Sequence, residues 1–134
     1  MTRAGAIWEA WSRVAAGSAR RRVLVVDDDP SWRSLLALEL QDLGYEPVEA
    51  SDGAEALRLL EQTECSVILL DLRMPGLDGR EVLARLPAGG PRVVLLTEAG
   101  MDEVQEALER RPHYYLPKSA GRDELALMLQ SLAA

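Results

Sequence analysis

Short apolar runs alternate with longer segments of helical periodicity along nearly the whole chain. The runs are VLVVD (residues 23–27), EPVEA (46–50), SVILLD (66–71), RVVLLT (92–97) and HYYLP (113–117). The first, third and fourth runs are almost continuous in Val, Ile and Leu, which is typical of parallel strands buried on both faces. The pattern therefore predicts five short strands, each followed by a helix.

The segments after the runs carry the apolar stripes and boundary signals of helices. The apolar stripes are Trp32, Leu36, Leu40 and Leu43 in the first helix, Val104 and Leu108 in the fourth, and Leu125, Met128, Leu129 and Leu132 in the fifth. Gly44 lies just beyond the end of the first helix. Asp52 with Glu55 and Asp78 with Glu81 have the spacing of capping boxes at the starts of the second and third helices. Five such units predict an α/β fold with an open parallel sheet covered by helices on both faces. The thin stripe of the fourth helix indicates a short or loosely packed element.

Polar residues concentrate where these runs end. They are Asp27 with Asp28 at the end of the first run, Asp71 at the end of the third, Thr97 at the end of the fourth and Lys118 just past the fifth. The carboxyl ends of parallel strands share one edge of a sheet, where ligands bind, so the sequence predicts a site of three carboxylates, a hydroxyl and an ammonium. The simpler alternative is that strand ends are polar because they reach the surface. Two carboxylates ~5 Å apart repel by roughly 3 kcal/mol at an effective dielectric of ~20, so such a cluster must be solvated, protonated or neutralised by a cation.

Composition narrows the classes of protein. A chain of 134 residues with 48% hydrophobic and 28% charged residues is typical of one soluble globular domain. The net charge of −7 argues against nucleic acid as the main partner. No run approaches the ~18 apolar residues of a membrane span, no signal peptide is recognisable, and the single cysteine excludes an internal disulfide. We expect a cytoplasmic protein that does not contact membranes.

The segments LVVDDDP, ILLDLRMPGLDG, VVLLT and YYLPK, in this order and at these spacings, resemble the receiver domain of two-component response regulators, of the chemotaxis-regulator type. The resemblance covers residues 22 to about 132, and the MPGLDG turn shortly after Asp71 makes it specific. It implies a flavodoxin-like, doubly wound sheet of five parallel strands in the order 2-1-3-4-5, here with an extra N-terminal helix.

The resemblance also implies roles for the acidic residues. Asp71 would accept a phosphoryl group from a histidine kinase or a His-phosphotransfer protein. Mg²⁺, which favours oxygen ligands and bridges to phosphates, would be bound by Asp28, Asp71 and the backbone carbonyl of Arg73. Asp27 would act through a bound water. Asp29 has a simpler interpretation as the N-cap of the first helix.

Three further residues would respond to phosphorylation. Lys118 would pair with Asp71 and then with the phosphoryl group, Thr97 would hydrogen-bond a phosphoryl oxygen, and Tyr115 would change rotamer as Thr97 moves. The new charge would alter the face formed by the fourth helix, fifth strand and fifth helix, which would contact a downstream target protein. No dedicated enzyme is expected beyond catalysis of the domain's own aspartyl phosphorylation and dephosphorylation.

Two positions depart from the family pattern. Ser119 follows Lys118, where the family usually has proline, and Glu98 follows Thr97, where the family usually has a small residue. Glu98 would add bulk and negative charge at the mouth of the site and act as a gate. These departures leave open a receiver-like domain that works by protein contact without phosphorylation.

A haloacid-dehalogenase-type aspartyl phosphatase is a more distant alternative. Asp27 and Asp29 have the spacing of its nucleophile and acid, but that interpretation leaves Asp71 without a role. A His-phosphotransfer protein fits poorly, because His113 lies in a strand-like segment rather than in the middle of a helix.

The first residues of the chain lie outside the receiver pattern. We expect an amphipathic helical extension over residues 1–20 and a receiver domain over residues 21–134. The stripe of this helix comprises Ile7, Trp8, Trp11, Val14 and Ala15. It would either fold back on the domain or form a homodimer or partner contact. No output domain is recognisable after the fifth helix, so we expect a stand-alone regulator or a part of a longer protein.

Overall fold

The structure, a computed structural model, describes residues 21–87, 89–110 and 114–133. Within them, strands and helices alternate in the predicted order. The strands are β1 (Arg22–Val26), β2 (Glu46–Ala50), β3 (Val67–Leu70), β4 (Arg92–Thr97) and β5 (Tyr114–Pro117). The helices are α1 (Pro30–Asp42), α2 (Gly53–Gln62), α3 (Gly79–Arg85), α4 (Met101–Arg110) and α5 (Arg122–Ala133).

The five strands form one parallel sheet in the order β2-β1-β3-β4-β5, which confirms the predicted topology. Alternate residues of each central strand point to opposite faces. Leu24 and Val26 lie in a core with side chains of α2, α3 and α4, whereas Val23 and Val25 lie in a second core with α1 and α5. Because both faces are covered, the central strands are apolar except at their ends, where β1 begins with Arg22 and β4 begins with Arg92 and ends with Thr97.

Aspartates begin the first three helices, as the sequence predicts. Asp29 accepts hydrogen bonds from the backbone N–H groups of Ser31 and Trp32, and Pro30 occupies the first turn. Asp52 and Asp78 cap α2 and α3 in the same way, accepting from residues three positions later. Local hydrogen bonding therefore helps to set the positions at which these helices start.

The inner face of α4 differs from the expected thin stripe. The helix has ten residues, as many as α2, and it buries Val104 and Ala107 completely. The expectation of a short element was wrong, because the helix has ten residues and the small side chain of Ala107 completes the stripe that Val104 and Leu108 begin.

The predicted helix over residues 1–20 and the predicted strand position of His113 lie outside the described residues. Among the helices of the described residues, none is both long and apolar enough to cross a membrane.

Candidate functional site

Three aspartates meet at the carboxyl edge of the sheet. Val26 of β1 and Leu70 of β3 are register partners, so the chain delivers Asp27 and Asp71 side by side. Carboxylate oxygens of these two residues and of Asp28 all lie within 4.8 Å of one another. Asp27 and Asp71 are 2% and 5% exposed, whereas Asp28 reaches solvent.

The carboxylate of Asp71 accepts three hydrogen bonds. The hydroxyl of Thr97, at the end of β4, donates to Oδ1 at 2.7 Å, and the backbone N–H of Arg73 donates to the same oxygen at 3.2 Å. The ammonium of Lys118, just beyond β5, donates to Oδ2 at 3.1 Å. Donors from three different segments therefore fix the orientation of this carboxylate.

Lys118 bridges two of the acids. Its Nζ lies 2.6 Å from Oδ2 of Asp27 as well as 3.1 Å from Oδ2 of Asp71, and 5.5 Å from the ring centroid of Trp32. Burial disfavours the charged ammonium, but the hydrogen bonds and charges of Asp27 and Asp71 outweigh it and raise the pKa of Lys118. The side chain therefore stays protonated and offsets the repulsion between the two carboxylates.

Burial shifts the pKa of Asp27 in the direction opposite to its effect on the pKa of Lys118. It raises the pKa of that carboxyl group, although the hydrogen bonds from Lys118 and from the backbone N–H of Asp29 oppose the rise. The backbone of Asp27 is also held, since Nη1 of Arg33 donates to its carbonyl oxygen at 2.7 Å while Nε of Arg33 contacts Glu49 at 3.2 Å. In the sequence, the only signal for this support is a basic residue one turn into α1.

The MPGLDG segment brings α3 against the acidic cluster. A Cβ atom at Gly79 would lie 2.3 Å from the carbonyl oxygen of Asp71 and 2.7 Å from Cα of Leu72. The backbone N–H of Gly79 donates to the carbonyl of Leu72 at 3.1 Å. Only glycine allows this approach, and Gly76, with φ +74°, makes the preceding turn.

The donor set fits a hard divalent cation. Carboxylate oxygens of Asp27, Asp28 and Asp71 converge, and oxygen ligands of this kind are those that Mg²⁺ prefers. Arg73 follows Asp71 by two residues and its backbone N–H contacts the Asp71 carboxylate, so its peptide runs along the same site. An acidic pocket of this composition is typical of magnesium binding.

The remaining predicted residues lie around this cluster. Thr97 is completely buried and also accepts a hydrogen bond from the backbone N–H of Ala99 at 3.1 Å. Tyr115 is half-buried on β5, beside Leu95 rather than beside Thr97, whose register partner is Pro117. Glu98 is exposed directly after Thr97.

Asp29 does not join the acidic cluster. It is exposed, and its carboxylate caps α1. Besides the support from Arg33, sequence reasoning missed three contacts of the site: the pairing of Lys118 with Asp27, the proximity of the Lys118 ammonium to Trp32, and an ion pair between Arg73 and Glu103 of α4.

Comparison with protein families and curated proteins identifies the family to which the chain is similar. The model of the response regulator receiver domain matches residues 23–130. Response regulator MprA of Mycobacterium sp. (strain KMS) is 37% identical over 114 residues, covering 83% of this chain and 50% of the relative. The positive alginate biosynthesis regulatory protein of Pseudomonas aeruginosa is 40% identical over 112 residues, covering 81% and 45%. The chain thus spans about half the length of these curated relatives.

Solved structures show the same fold. Response regulator protein TrrA from Thermotoga maritima, in complex with Mg²⁺-BeF, superposes with a TM-score of 0.75 at 34% identity, covering 84% of this chain and 98% of that one. Chemotaxis protein CheY4 of Vibrio cholerae gives a TM-score of 0.74 at 29% identity, covering 83% and 97%.

Proposed function

Because the chain belongs to the receiver domain family of response regulators, we propose that it accepts a phosphoryl group on Asp71 from a histidine kinase or a His-phosphotransfer protein. One observation carries the proposal. Asp71 is the carboxylate that both Thr97 and Lys118 contact, and it lies within 4.8 Å of two further acids. Its surroundings thus combine carboxylates that could hold a cation with donors that could contact phosphoryl oxygens.

In the transfer step, a carboxylate oxygen of Asp71 forms a bond to phosphorus as the bond from phosphorus to the donor imidazole breaks. The imidazole nitrogen keeps the electron pair of that bond and can then take up a proton. The reaction needs little covalent chemistry from the protein, so positioning and charge neutralisation supply most of the catalysis. Thr97 and Lys118 orient the attacking carboxylate, and their hydroxyl and ammonium can follow the charge onto the phosphoryl oxygens.

Magnesium fits this chemistry. Asp28 and Asp71, with the backbone carbonyl of Arg73, would bind Mg²⁺ directly, and Asp27 would act through a water. When bound, the ion neutralises charge on the phosphoryl oxygens. Asp28 is the exposed member of the cluster, so it is the carboxylate most accessible to a cation from solvent.

The readout would pass through Thr97 and Lys118 to the face formed by α4, β5 and α5. Thr97 precedes α4, and Lys118 lies between β5 and α5. A phosphoryl group adds about −1.5 to −2 charges with strong acceptor oxygens, which draws both side chains toward Asp71. A downstream protein that contacts this face would thereby detect the modification.

The alternatives predict different modified residues. A haloacid-dehalogenase-type phosphatase would use Asp27 as nucleophile and Asp29 as acid, but Asp29 is engaged as a helix cap and Asp27 pairs with Lys118. A receiver that works only by protein contact would remain unmodified. Incubation with acetyl phosphate, with and without Mg²⁺, followed by mass spectrometry of the modified peptide distinguishes all three.

We expect one phosphoryl group on Asp71, only in the presence of Mg²⁺, and none on Asp71→Asn. Asp29→Asn is the matched control, because asparagine caps helices as well as aspartate does and this residue lies outside the cluster. It should be modified like the wild type. Modification of Asp27, or undiminished modification of Asp71→Asn, would contradict the assignment.

A further inference from the structure

An ion pair connects the loop that carries Asp71 to α4. Residues 71–78, between β3 and α3, are called the acceptor loop below. Nη2 of Arg73 donates to Oε1 of Glu103 at 2.6 Å, and Nε donates to Oε2 at 3.3 Å. Glu103 lies in the first turn of α4. Both nitrogens of the guanidinium edge are thus engaged by both oxygens of one carboxylate, the geometry that gives arginine pairs their directionality.

A second pair lies one turn further along the same helix. Nη1 of Arg80, in α3, is 3.8 Å from Oε2 of Glu106. Glu103 and Glu106 are three residues apart and therefore lie on the same side of α4. The acidic side of α4 therefore faces the acceptor loop and the start of α3. Of the two ion pairs, the one between Arg73 and Glu103 is the shorter, and it is made through two pairs of atoms.

We propose that Glu103 is a positioning residue, which through Arg73 ties α4 to the acceptor loop and is released when Asp71 carries a phosphoryl group. The inference rests on the proposed function of Asp71. It adds a route by which the modification reaches α4 without passing through Thr97 or Lys118.

The physical reason is competition for one guanidinium. The hydrogen bond with Glu103 and its charge raise the pKa of Arg73, and the charge of Asp71 acts on Arg73 in the same direction. Phosphorylation increases the negative charge on the Asp71 side while that of Glu103 stays the same. Phosphoryl oxygens also suit bidentate binding by arginine. The Arg73 guanidinium therefore binds the phosphoryl group in preference to the Glu103 carboxylate.

The exposure of the pair allows this exchange. The Arg73 side chain is 65% exposed, so it can leave Glu103 without opening the core. Its backbone N–H already contacts the Asp71 carboxylate, which keeps the base of the side chain close to the modified group. Because coupling is reciprocal, a variant that lacks the tie should also bind a phosphoryl mimic more tightly.

The first measurement is the affinity for BeF₃⁻ in the presence of Mg²⁺, by isothermal titration calorimetry. Glu103→Gln should bind about two- to five-fold more tightly than the wild type at low salt, the size expected for an exposed ion pair. The difference should shrink in 0.5 M salt (about a 4 Å screening length), because exposed charges are then screened. Asp102→Asn is the matched control: it makes the same change in the same turn of α4, and Asp102 has no ion pair within the described part of the chain.

The second measurement is amide hydrogen exchange in α4. Glu103→Gln should exchange faster than Asp102→Asn, and BeF₃⁻ should accelerate α4 exchange in the wild type but add little in Glu103→Gln. Equal behaviour of the two variants in both measurements would overturn the inference while leaving the proposed function intact. Failure of the wild type to bind BeF₃⁻ would instead overturn the proposed function, and the release step with it.

Discussion

The ammonium of Lys118 lies 2.6 Å from Oδ2 of Asp27, closer than its 3.1 Å to Oδ2 of Asp71. The family resemblance implies a pairing of this lysine with Asp71 alone. Lys118 is also the only lysine among the fifteen Lys and Arg residues of the chain. A compact ammonium with three rotatable donors can serve two carboxylates in a small space, whereas the planar guanidinium of arginine requires a fixed fork geometry.

Replacing this lysine should destabilise the fold. Lys118→Met leaves Asp27 and Asp71 facing each other without a counter-charge, so we expect the free energy of unfolding to fall by about 1–2 kcal/mol, between the values for exposed and buried pairs. Urea unfolding in EDTA measures this loss. Added Mg²⁺ should stabilise the variant more than the wild type, because the ammonium no longer competes for the same oxygens. Equal unfolding midpoints in EDTA would contradict the bridging role.

Adding one methyl group at Gly79 should be severe. Its Cβ would meet backbone atoms of Asp71 and Leu72, which cannot move without shifting the acceptor loop, so Gly79→Ala should cost about 1–3 kcal/mol of stability and slow phosphorylation. Gly121→Ala is the matched control, because a Cβ there has no atom of the described structure within 4 Å. Thermal unfolding and acetyl phosphate kinetics of the two variants test this, and similar values for both would contradict the close approach.

Removing the carboxylate of Glu98 should speed modification of Asp71. The side chain is exposed directly after Thr97, and the family resemblance implies that its charge would oppose an anionic phosphodonor at the mouth of the site. We expect Glu98→Ala to be phosphorylated by acetyl phosphate about two- to five-fold faster at low salt, with the advantage shrinking as salt rises. Glu61 is also an exposed glutamate but lies on α2, so Glu61→Ala should leave the phosphorylation rate unchanged. Rates that are equal at both salt concentrations would make Glu98 a bystander.

The predicted N-terminal helix offers a test of self-association. Two tryptophans on one predicted stripe need burial, which either the receiver domain itself or a second copy of the chain would provide. If a second copy covers the stripe, the 134-residue chain is a dimer and a chain lacking residues 1–19 is a monomer. Light scattering gives the two masses. A Trp8→Ser, Trp11→Ser double variant should match the truncated chain if the stripe is the contact. A monomer before and after truncation would contradict self-association through this segment.

The sequence by itself determined the fold and the membership of the site. Buried parallel strands must be apolar throughout, helices must show a 3.6-residue stripe, and the carboxyl ends of parallel strands meet at one edge whatever the details of packing. These rules place Asp28, Asp71, Thr97 and Lys118 at one edge of the sheet, and the strand order that the family resemblance implies makes them neighbours there. The helix caps follow the same logic, since Asp29 contacts only residues that are near it in the chain.

Only the tertiary structure decided which side chains pair across elements. Two such contacts, of Lys118 with Asp27 and of Arg73 with Glu103, join segments that are far apart in the sequence. A third, of Arg33 with the Asp27 carbonyl, depends on the direction in which the Arg33 side chain points. Periodicity sets which face a residue occupies, but the rotation and height of each helix over the sheet set which opposite charge lies within reach. The packing of the two cores fixes this rotation and height. The charged side chains around Asp71 therefore come into contact only when helices cover both faces of the sheet.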